Sequence, residues 1–445
     1  MLSHFLKNKI IYMKTKTMNI FIVLLLTLSF LSCNTNEPEN NDKPVLTVED
    51  VSCTEAWLKI SNAKGSLITL KRDDKEIMQF KLTGTDTVVL DNSLLPNKTY
   101  KYQVFRIQNP VSGIQVSATT MDTTSHNFTW QTFTFGNETS VLFDVVIINE
   151  NNIWIVGEIY KKDSLGILDP VFYNLARWDG NKWTLERVYY YYQGSYSLAH
   201  LKSIFAFSNN SISLGGFFRS NGDSFESIPL NISFSSEVNK IWGQGSKDYY
   251  IAGNNGNIAH YKDGFWQKIE SGTTSDLLDI YGNEQNIFIA GYRDFKPSAL
   301  LKVENGIIKK IIEDENNLFN YRTDFISGAI YSVWLTKNKL FTTTSFDLYR
   351  SDLETDGKAE AIWKGAPQDW GMISLRGNDV NDIIACGAFG RIWHFNGITW
   401  KKFNELENNS DRLYRIEIKG NICIAVGYRY ENGIERYGLV RIGRR

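Results

Sequence analysis

The sequence contains little proline, cysteine or histidine, and its charges almost cancel. Only 8 of its 445 residues are Pro while 13% are aromatic, which excludes a largely disordered chain and leaves ample material for a packed core. The 5 His and 4 Cys form no group with metal-ligand spacing, and phosphate-binding glycine loops and nucleophile-elbow motifs are absent. We therefore expect no metal, no cofactor and no catalytic residue, and the leading prediction is a protein that is not an enzyme.

The apolar stretch at residues 20–31 is too short to span a bilayer comfortably. It follows a segment with four lysines and ends in Ser29-Phe30-Leu31-Ser32-Cys33. This ending resembles a bacterial lipobox, with Phe30 where Leu is commoner. The resemblance implies a signal peptide over residues 1–32, cleavage before Cys33 and lipidation of Cys33. A plain secretory signal with an incidental Cys is the alternative.

Removal of residues 1–32 takes away 4 Lys and no acidic residue, so the formal charge falls from −1 to −5. A mildly acidic protein has no electrostatic basis for binding nucleic acid. Residues 33–43 are polar and predict a flexible tether. Their acidic character resembles the segment after the lipidated Cys in surface lipoproteins of Bacteroidota-like bacteria. This resemblance implies an outer-membrane lipoprotein that faces the cell surface, with the periplasmic face as the alternative.

Residues 44–121 contain short alternating strands and the segment Leu95-Pro96-Asn97-Lys98-Thr99-Tyr100. This segment resembles the fibronectin type III pattern, in which a Tyr hydroxyl ties the corner between two strands. The resemblance implies a small β-sandwich in which Tyr100 holds the corner, and Tyr102 and Val104 follow on the core face. Any small β-sandwich would give similar alternation. In either case we expect a spacer that lifts the rest of the chain off the membrane.

A hairpin motif recurs along the remaining chain. An aromatic residue is followed by Asp-Gly or Asn-Gly and then, five positions after the aromatic, by Trp. The copies are Trp178–Trp183, Tyr261–Trp266 and Phe395–Trp400, and Val303–Ile308 is a degenerate fourth. Because Asp-Gly and Asn-Gly accept the positive φ of a two-residue hairpin turn, each copy predicts a strand, a turn and a second strand.

Upstream of the hairpins lie seven runs of strand formers, each preceded at about eleven residues by another apolar segment. Six of these runs end in Gly, at Gly157, Gly215, Gly253, Gly291, Gly387 and Gly427. Residues 127–445 number 319, or about 46 for each copy, which is typical of propeller blades. We therefore predict an all-β chain with a seven-bladed β-propeller over residues 127–445. Residues 128–133 resemble the outer strand at 398–403, so we expect them to complete the last blade.

The repeat resembles Asp-box and photosystem-assembly-factor-like propellers, in which a strand ending in Gly is followed by an aspartate turn and Trp. Asp boxes occur in sialidases, which would imply an enzyme. That pattern separates Asp from Gly by one residue, whereas Asp179-Gly180 and Asp263-Gly264 are adjacent. A propeller glycoside hydrolase or polysaccharide lyase also needs two placed carboxylates, which the sequence cannot pair. The photosystem-factor resemblance implies a factor that holds other proteins during assembly.

Connections between second and third strands, and between blades, vary in length, and both emerge on one face of a propeller. Binding groups can differ from blade to blade there. The long connections are predicted at residues 158–172, 217–226, 312–327 and 428–437. Trp, Tyr and Arg dominate binding hot spots and stack on sugar rings. The candidate ligand-binding residues on this face are Trp370, Tyr292, Arg293, Tyr428, Arg429, Arg219, Tyr321 and Arg322.

These features predict a monomeric cell-envelope lipoprotein that binds a glycan, or an envelope or extracellular protein, without catalysis. The aromatic loops favour a glycan. An assembly or scaffold factor for envelope protein complexes is the second hypothesis, and a propeller hydrolase or lyase is the third. His260 and His394 occupy the same repeat position, so we interpret both as structural. Cys386 and Cys423 lie at different depths of neighbouring blades, which predicts free buried thiols.

Replacing the predicted lipid acceptor by Cys33→Ser is expected to abolish lipid attachment, because Ser offers no thiol for acylation. Cells fed labelled palmitate should label the wild-type protein and not the variant, and the variant should leave the membrane fraction. Cys53→Ser is the matched control and should be labelled like the wild type. Equal labelling of Cys33→Ser and the wild-type protein would contradict the prediction.

Overall fold

A computed structural model describes residues 44–107, 114–192, 194–234, 236–315, 321–363 and 371–445. The predicted signal peptide, the tether with Cys33 and the candidate residue Trp370 lie outside these ranges. The described chain is all-β apart from one short 3-10 helix, Asn404–Leu406. No helix in the described ranges is long and apolar enough to cross a membrane.

The first described region contains two antiparallel sheets that share one hydrophobic core. A three-stranded sheet has the order β1-β2-β5, and a four-stranded sheet has the order β4-β3-β6-β7. Leu58 and Ile60 of the first sheet pack with Leu70, Tyr102 and Val104 of the second. The strands are β1 (Val45–Val51), β2 (Ala56–Ser61), β3 (Leu67–Arg72), β4 (Lys75–Lys81), β5 (Asp86–Asp91), β6 (Thr99–Arg106) and β7 (Gln115–Thr119).

The corner residue Tyr100 is buried in this small domain, which we call the sandwich. Its hydroxyl oxygen accepts a hydrogen bond from the backbone N–H of Leu95, five residues upstream, at 2.8 Å. Buried and exposed residues alternate along β6, so Tyr102 and Val104 point into the core. This alternation is the period of two that a half-buried strand requires.

Seven four-stranded antiparallel sheets and one separate hairpin make up the rest of the described chain. We number the sheets 1 to 7 in chain order, and each is a simple meander. Sheets 1 to 3 and the hairpin β13–β14 contain β9 (Val141–Asn149), β10 (Asn152–Ile159), β11 (Tyr173–Trp178), β12 (Trp183–Glu186), β13 (Tyr189–Tyr192), β14 (Ser195–Leu198), β15 (Ile204–Ser208), β16 (Ser211–Leu214), β17 (Phe218–Ser220), β18 (Phe225–Ser227), β19 (Val238–Gly245), β20 (Asp248–Gly253), β21 (Asn257–Lys262) and β22 (Phe265–Glu270).

Sheets 4 to 7 follow the same pattern, except that sheet 7 takes its outer strand from the start of the region. Their strands are β23 (Leu277–Gly282), β24 (Ile287–Gly291), β25 (Ser298–Glu304), β26 (Ile307–Asp314), β27 (Ile330–Leu335), β28 (Lys339–Thr344), β29 (Leu348–Asp352), β30 (Glu360–Trp363), β31 (Met372–Asp379), β32 (Asp382–Gly387), β33 (Ile392–Phe395), β34 (Trp400–Lys402), β35 (Asp411–Lys419), β36 (Ile422–Glu431), β37 (Glu435–Arg444) and β8 (Thr129–Phe135).

The sheets form a closed ring with their first strands at the centre. Each first strand contacts the first strand of the next sheet, and β35 of sheet 7 contacts β9 of sheet 1. Hydrophobic clusters lie between neighbouring sheets, as where Val145 and Ile155 of sheet 1 pack with Ile424 and Val440 of sheet 7. The outer strand β8 pairs antiparallel with β37. Residues near both ends of the ring-forming chain therefore share one sheet.

Two kinds of hairpin turn occur where the sequence predicts only one. Asp263-Gly264 and Asn305-Gly306 are two-residue turns in which all four residues have positive φ. The turns that begin at Asp179 and Asn396 span four residues, so the two-residue prediction is wrong for them. There the Asp179 and Asn396 side chains accept hydrogen bonds from backbone N–H groups two and three residues further on, which stabilises the longer turn.

The strand-ending glycines sit where a first strand comes very close. A Cβ atom added at Gly427 would lie 1.9 Å from the carbonyl oxygen of Arg412, next to an irregularity in the β35–β36 register. An added Cβ at Gly157, Gly253 or Gly387 would likewise lie between 2.2 and 2.5 Å from a backbone oxygen. These positions accept only glycine because backbone cannot move aside as a flexible side chain can.

Gly427→Ala is expected to destabilise the fold by about 2 kcal/mol or more, because the new methyl group overlaps a backbone carbonyl. Gly245→Ala is the matched control, since an added Cβ there meets no atom within 4 Å. Urea unfolding followed by tryptophan fluorescence measures both. Equal midpoints for the two variants would contradict this explanation of the repeated glycine.

Candidate functional site

The meander of each sheet sorts its connections onto two opposite faces of the ring. Turns between first and second strands, and between third and fourth strands, emerge on what we call the short-turn face. Connections between second and third strands, and between sheets, emerge on the other, the variable face. Two segments expected as long loops are strands instead. β17 and β18 occupy half of 217–226, because Gly215 and Gly216 turn the chain tightly with positive φ.

The second corrected segment is 428–437, where β36 and β37 continue as a hairpin. Its turn contains Asn432 and Gly433, both with positive φ. This turn lets the two strands extend beyond the edge of sheet 7. Residues of the predicted loop are therefore held in fixed strand positions, which a long loop would not provide.

The sandwich docks on the short-turn face at sheets 5 and 6. Arg350 of β29 donates hydrogen bonds of 2.6 and 2.8 Å to the two carboxylate oxygens of Glu55. The ring of Trp57 lies 4.9 Å from the Lys339 ammonium and 5.8 Å from the Arg350 guanidinium. Asn338 in a turn of sheet 5 donates a 2.9 Å hydrogen bond to Asp50. Part of the short-turn face is therefore occupied by the chain itself.

Charged side chains from five first strands meet at the centre of the ring. Lys240 contacts both oxygens of Asp144 at 2.8 and 3.0 Å. Arg376 contacts both oxygens of Asp279 at 3.0 and 2.8 Å and reaches Glu417 at 3.2 Å. Asp144 and Lys240 belong to sheets 1 and 3, and Asp279 and Arg376 belong to sheets 4 and 6, so these two pairs join sheets that are not neighbours, whereas Glu417 lies on sheet 7 next to Arg376. We call this group the central plug.

Arg376 decides the ionisation of the plug. Burial alone would raise the pKa of Asp279, but the charge and hydrogen bonds of Arg376 lower it to about 2. For Glu417 burial dominates and the pKa is raised, although Arg376 and Lys240 oppose the shift. Burial alone would lower the pKa of Arg376, but Asp279 and Glu417 more than offset this effect and raise it above its usual value. The plug is a buried ion-pair network that depends on complete pairing.

Arg415 lies beside the plug and is held differently. Its guanidinium donates to the carbonyl oxygens of Tyr414 and of Leu278 on the opposite side of the ring, the latter at 2.5 Å. Arg412 donates to carbonyl oxygens of Asn409 and Asp411. Neither residue has a carboxylate within ion-pair distance in the described part of the chain.

Arg436 shares this property and faces a cluster of tyrosines on the variable face. Its guanidinium lies 5.6 Å from the ring centre of Tyr428, which contacts Tyr414 and Tyr430 at 5.6 and 5.0 Å. Burial raises the pKa of Tyr414, and Arg436 and Arg412 oppose that shift. Arg412 and Arg436 thus lie near tyrosine rings that pack edge to face, and we call these two arginines with Tyr414, Tyr428 and Tyr430 the arginine–tyrosine patch.

The predicted candidates are not brought into one cluster. Tyr292 and Arg293 follow β24 on the variable face, where Tyr292 donates to Asp294 at 2.5 Å and packs against Tyr331. Arg293 donates to Asn255 at 2.8 Å and pairs with Asp276 at 3.3 Å. Its guanidinium is therefore already occupied by neighbouring connections.

Tyr321 and Arg322 lie in the connection between sheets 4 and 5. Tyr321 is 48% exposed and donates to Asp347 at 2.9 Å. Arg322 pairs with Asp324 at 3.3 Å and covers the ring of Phe325. Both side chains stay accessible on the variable face, but each already makes local contacts.

Tyr428 belongs to the arginine–tyrosine patch, whereas Arg429 is engaged in the sheet. Arg429 pairs with both oxygens of the buried Asp411 at 2.7 and 2.9 Å.

The expected position of Arg219 is wrong. It lies on β17, and its guanidinium donates at 2.8 Å to Ser246 in a turn of the short-turn face. The Gly215-Gly216 turn starts the third strand early and so moves Arg219 away from the variable face.

Three connections of the variable face end in exposed apolar side chains that the sequence prediction missed. Leu165 of sheet 1 is 81% exposed, Phe295 of sheet 4 is 98% exposed and Ile434 of sheet 7 is 84% exposed. Large apolar side chains at loop tips cost solvation unless a partner covers them. Each lies one to three residues from a Gly or Pro of its turn, which is the local signal that could have identified them.

The repeated histidines serve the sheets. His260 contacts Asp248 at 2.7 Å and stacks on Tyr250, and His394 contacts Asp382 at 2.8 Å. In both cases the Asp begins the second strand of the same sheet. Among the described residues no group of three or more His, Cys, Asp or Glu could hold a metal ion. Cys53, Cys386 and Cys423 are free and buried.

No protein-family model and no curated protein matches the chain. Among solved structures, YCF48 bound to a D1 peptide is similar with a TM-score of 0.50 and 14% identity, over 71% of this chain and 94% of that chain. The ring of four-stranded sheets is a β-propeller. YCF48 from Cyanidioschyzon merolae has a TM-score of 0.48 and 15% identity, over 70% of this chain and 98% of that chain. Identities this low describe the fold of the propeller and no more.

Arg376→Gln is expected to lower the free energy of unfolding by about 3–5 kcal/mol, because it leaves buried carboxylates unpaired in the central plug. In the wild-type protein, the stability that comes from the lowered pKa of Asp279 is present above the unfolded-state pKa of 3.8 and is lost as the pH falls toward 2. Without Arg376, burial raises that pKa above 3.8, so protonation at lower pH relieves the unpaired carboxylate, and the stability deficit of the variant should be smaller at pH 4 than at pH 7.

Urea unfolding at pH 7 and pH 4 measures this difference. Lys309→Gln is the control, because its pair with Glu304 is 3.4 Å long and half exposed, and it should cost less than about 1 kcal/mol. If Arg376→Gln lowers the free energy of unfolding no more than Lys309→Gln does, the central plug does not need complete pairing.

Proposed function

We propose that the chain is a lipid-anchored lipoprotein of the cell envelope that binds a protein partner without catalysing a reaction. In this proposal a fibronectin type III-like sandwich carries a seven-bladed propeller, and the variable face is the binding surface. The observation that carries it is the grouping, on one face, of exposed apolar tips and arginines that lack a carboxylate partner. Such a surface combines the apolar and cationic contacts on which protein interfaces depend.

The proposed architecture has support in the strand pairing. Seven four-stranded sheets with a closed ring of first strands support seven blades, with β8 as the outer strand of the last. Two sheets in the order β1-β2-β5 and β4-β3-β6-β7, with the Tyr100 corner, support a fibronectin type III-like domain.

In this proposal a lipid at Cys33 anchors the chain to the outer membrane. Residues 34–43 would connect this anchor to the sandwich, which begins at β1.

A protein suits the variable face better than a glycan. Leu165 and Ile434 are aliphatic, so they cannot stack on sugar rings as aromatic side chains do. They fit apolar pockets of a protein surface, while Arg412 and Arg436 can pair with carboxylates of the same partner. YCF48, which shares the fold, is seen bound to a D1 peptide. This supports a binding or assembly role in which the partner is another polypeptide.

Photocrosslinking from the loop tips tests the proposal. A photoreactive phenylalanine analogue placed at Phe295 or Ile434 of the full chain, in cells that naturally make it, is expected to crosslink to one common protein. Phe265 is the matched control, because it is 72% exposed but stands on the short-turn face. Mass spectrometry identifies the products.

Arg412→Ala combined with Arg436→Ala should reduce the yield of the Phe295 crosslink at least about fivefold, because charge pairs across an interface speed association and slow dissociation. Crosslinks to the same protein from Phe265, or none from either variable-face position, would overturn the proposed surface. Attachment to polysaccharide instead of protein would favour the glycan hypothesis.

A further inference from the structure

A cleft of about 370 Å³ lies at the junction of the sandwich and the propeller, on the side opposite the proposed protein-binding face. Clefts of about 300–1,000 Å³ at domain junctions are common sites for small ligands. One wall comes from the sandwich, and the other comes from sheets 5 and 6. The pair between Glu55 and Arg350, together with the contacts of Trp57 and Asp50, holds the two walls of the cleft together.

The propeller wall of the cleft is apolar and partly aromatic. Phe395 and Trp400 lie on adjacent strands with ring centres 5.1 Å apart, inclined by 31°. Ile398, in the turn between them, is 47% exposed, and Val380 and Ile362 complete this wall. Aromatic rings beside exposed aliphatic groups give an apolar surface for the C–H face of a ligand.

Hydrogen-bonding groups of both kinds also line the cleft, from the sandwich and from sheet 5 of the propeller. Glu360 is 65% exposed, and only its oxygen Oε2 is engaged by Arg350, at 2.8 Å. The Thr54 hydroxyl makes no hydrogen bond to another described residue, and Ser52 lies beside it. Two acidic and two basic side chains line the cleft in total, namely Glu55, Glu360, Lys339 and Arg350.

These properties restrict the chemistry of the occupant. A charged ligand gains little, because the acidic and basic groups already neutralise one another. A wholly apolar ligand would strip water from Glu55, Arg350 and Glu360 without replacing their hydrogen bonds, which is costly. A neutral molecule with an apolar face and several hydroxyl groups satisfies both sides.

We propose that this junction cleft binds a neutral saccharide of one or two pyranose units. Trp400 and Phe395 receive the C–H face of the ring, and Glu360 and Thr54 bind its hydroxyl groups. The saccharide also contacts both domains, so its binding stabilises their docked arrangement. This site is separate from the variable face and does not depend on the function proposed for that face.

Titration calorimetry with maltose, cellobiose, xylobiose and mannobiose, using residues 34–445, tests the proposal. At least one disaccharide is expected to bind with a Kd of about 1 mM or tighter. Glu360→Gln and Trp400→Ala should each weaken that binding at least about tenfold. Glu304→Gln, an exposed carboxylate on sheet 4 outside the cleft, is the matched control and should bind like the wild type.

Trp400 also packs in the core between sheets 5 and 6, so its variant can lose stability as well as affinity. Glu360 is on the surface, and Glu360→Gln keeps its shape, so loss of binding in that variant reports on the cleft itself. No binding of any of the four disaccharides at 10 mM, or equal affinity for wild-type and Glu360→Gln protein, would overturn the proposal. Neither result would bear on crosslinking from Phe295.

Discussion

Because every sheet of the propeller is a four-stranded antiparallel meander, the chain changes face at each turn. This constraint alone assigns each connection to one of two surfaces, whatever its sequence. The tight turns collect on one side, where a second domain can pack against a regular array of them. The connections that vary in length and composition collect on the other side. The docked sandwich, the exposed loop tips and the arginine–tyrosine patch all follow from this alternation.

The charges divide in a related way. Near the ring axis, Asp144, Asp279 and Glu417 are paired with Lys240 and Arg376 across the centre. At the domain junction, Arg350 serves both Glu55 and Glu360. In both places a cation ties together elements that would otherwise separate. Arg412 and Arg436, which lack such partners, stand on the variable face, where they are available to pair with carboxylates of another molecule.

Local patterns in the sequence predicted the parts of the fold that local physics controls. Six of the seven second strands were found from runs of strand formers ending in Gly, a residue that marks a close approach of two backbones at Gly427. The pairing of β8 with β37 followed from the likeness of two outer strands. Arg219 was misplaced because two successive glycines shortened the turn before it. The pattern of strand-forming residues does not reveal that the next strand starts early.

Contacts between residues that are far apart in the chain could not be predicted from the sequence. Glu55 and Arg350 are separated by 295 positions, and nothing near either residue indicates the other, so the sandwich was predicted as a spacer and its docking was missed. The candidate site was only partly predictable for a similar reason. Tyr428 was identified by its type and position, whereas Arg412 and Arg436 matter because of partners they lack, which only the three-dimensional arrangement reveals.

The pairing of β8 with β37 in sheet 7 also determines when the ring can close during synthesis. The strand β8 precedes all the other strands of the ring along the chain, whereas its partner β37 follows all of them. Until that strand is made, the ring is open and the facing sides of sheets 1 and 6 are exposed to solvent. Closing so long a loop is a slow step of folding, and open forms with unpaired strands are the ones that aggregate. The nascent ring therefore stays open until β37, the strand with which β8 pairs, has been made.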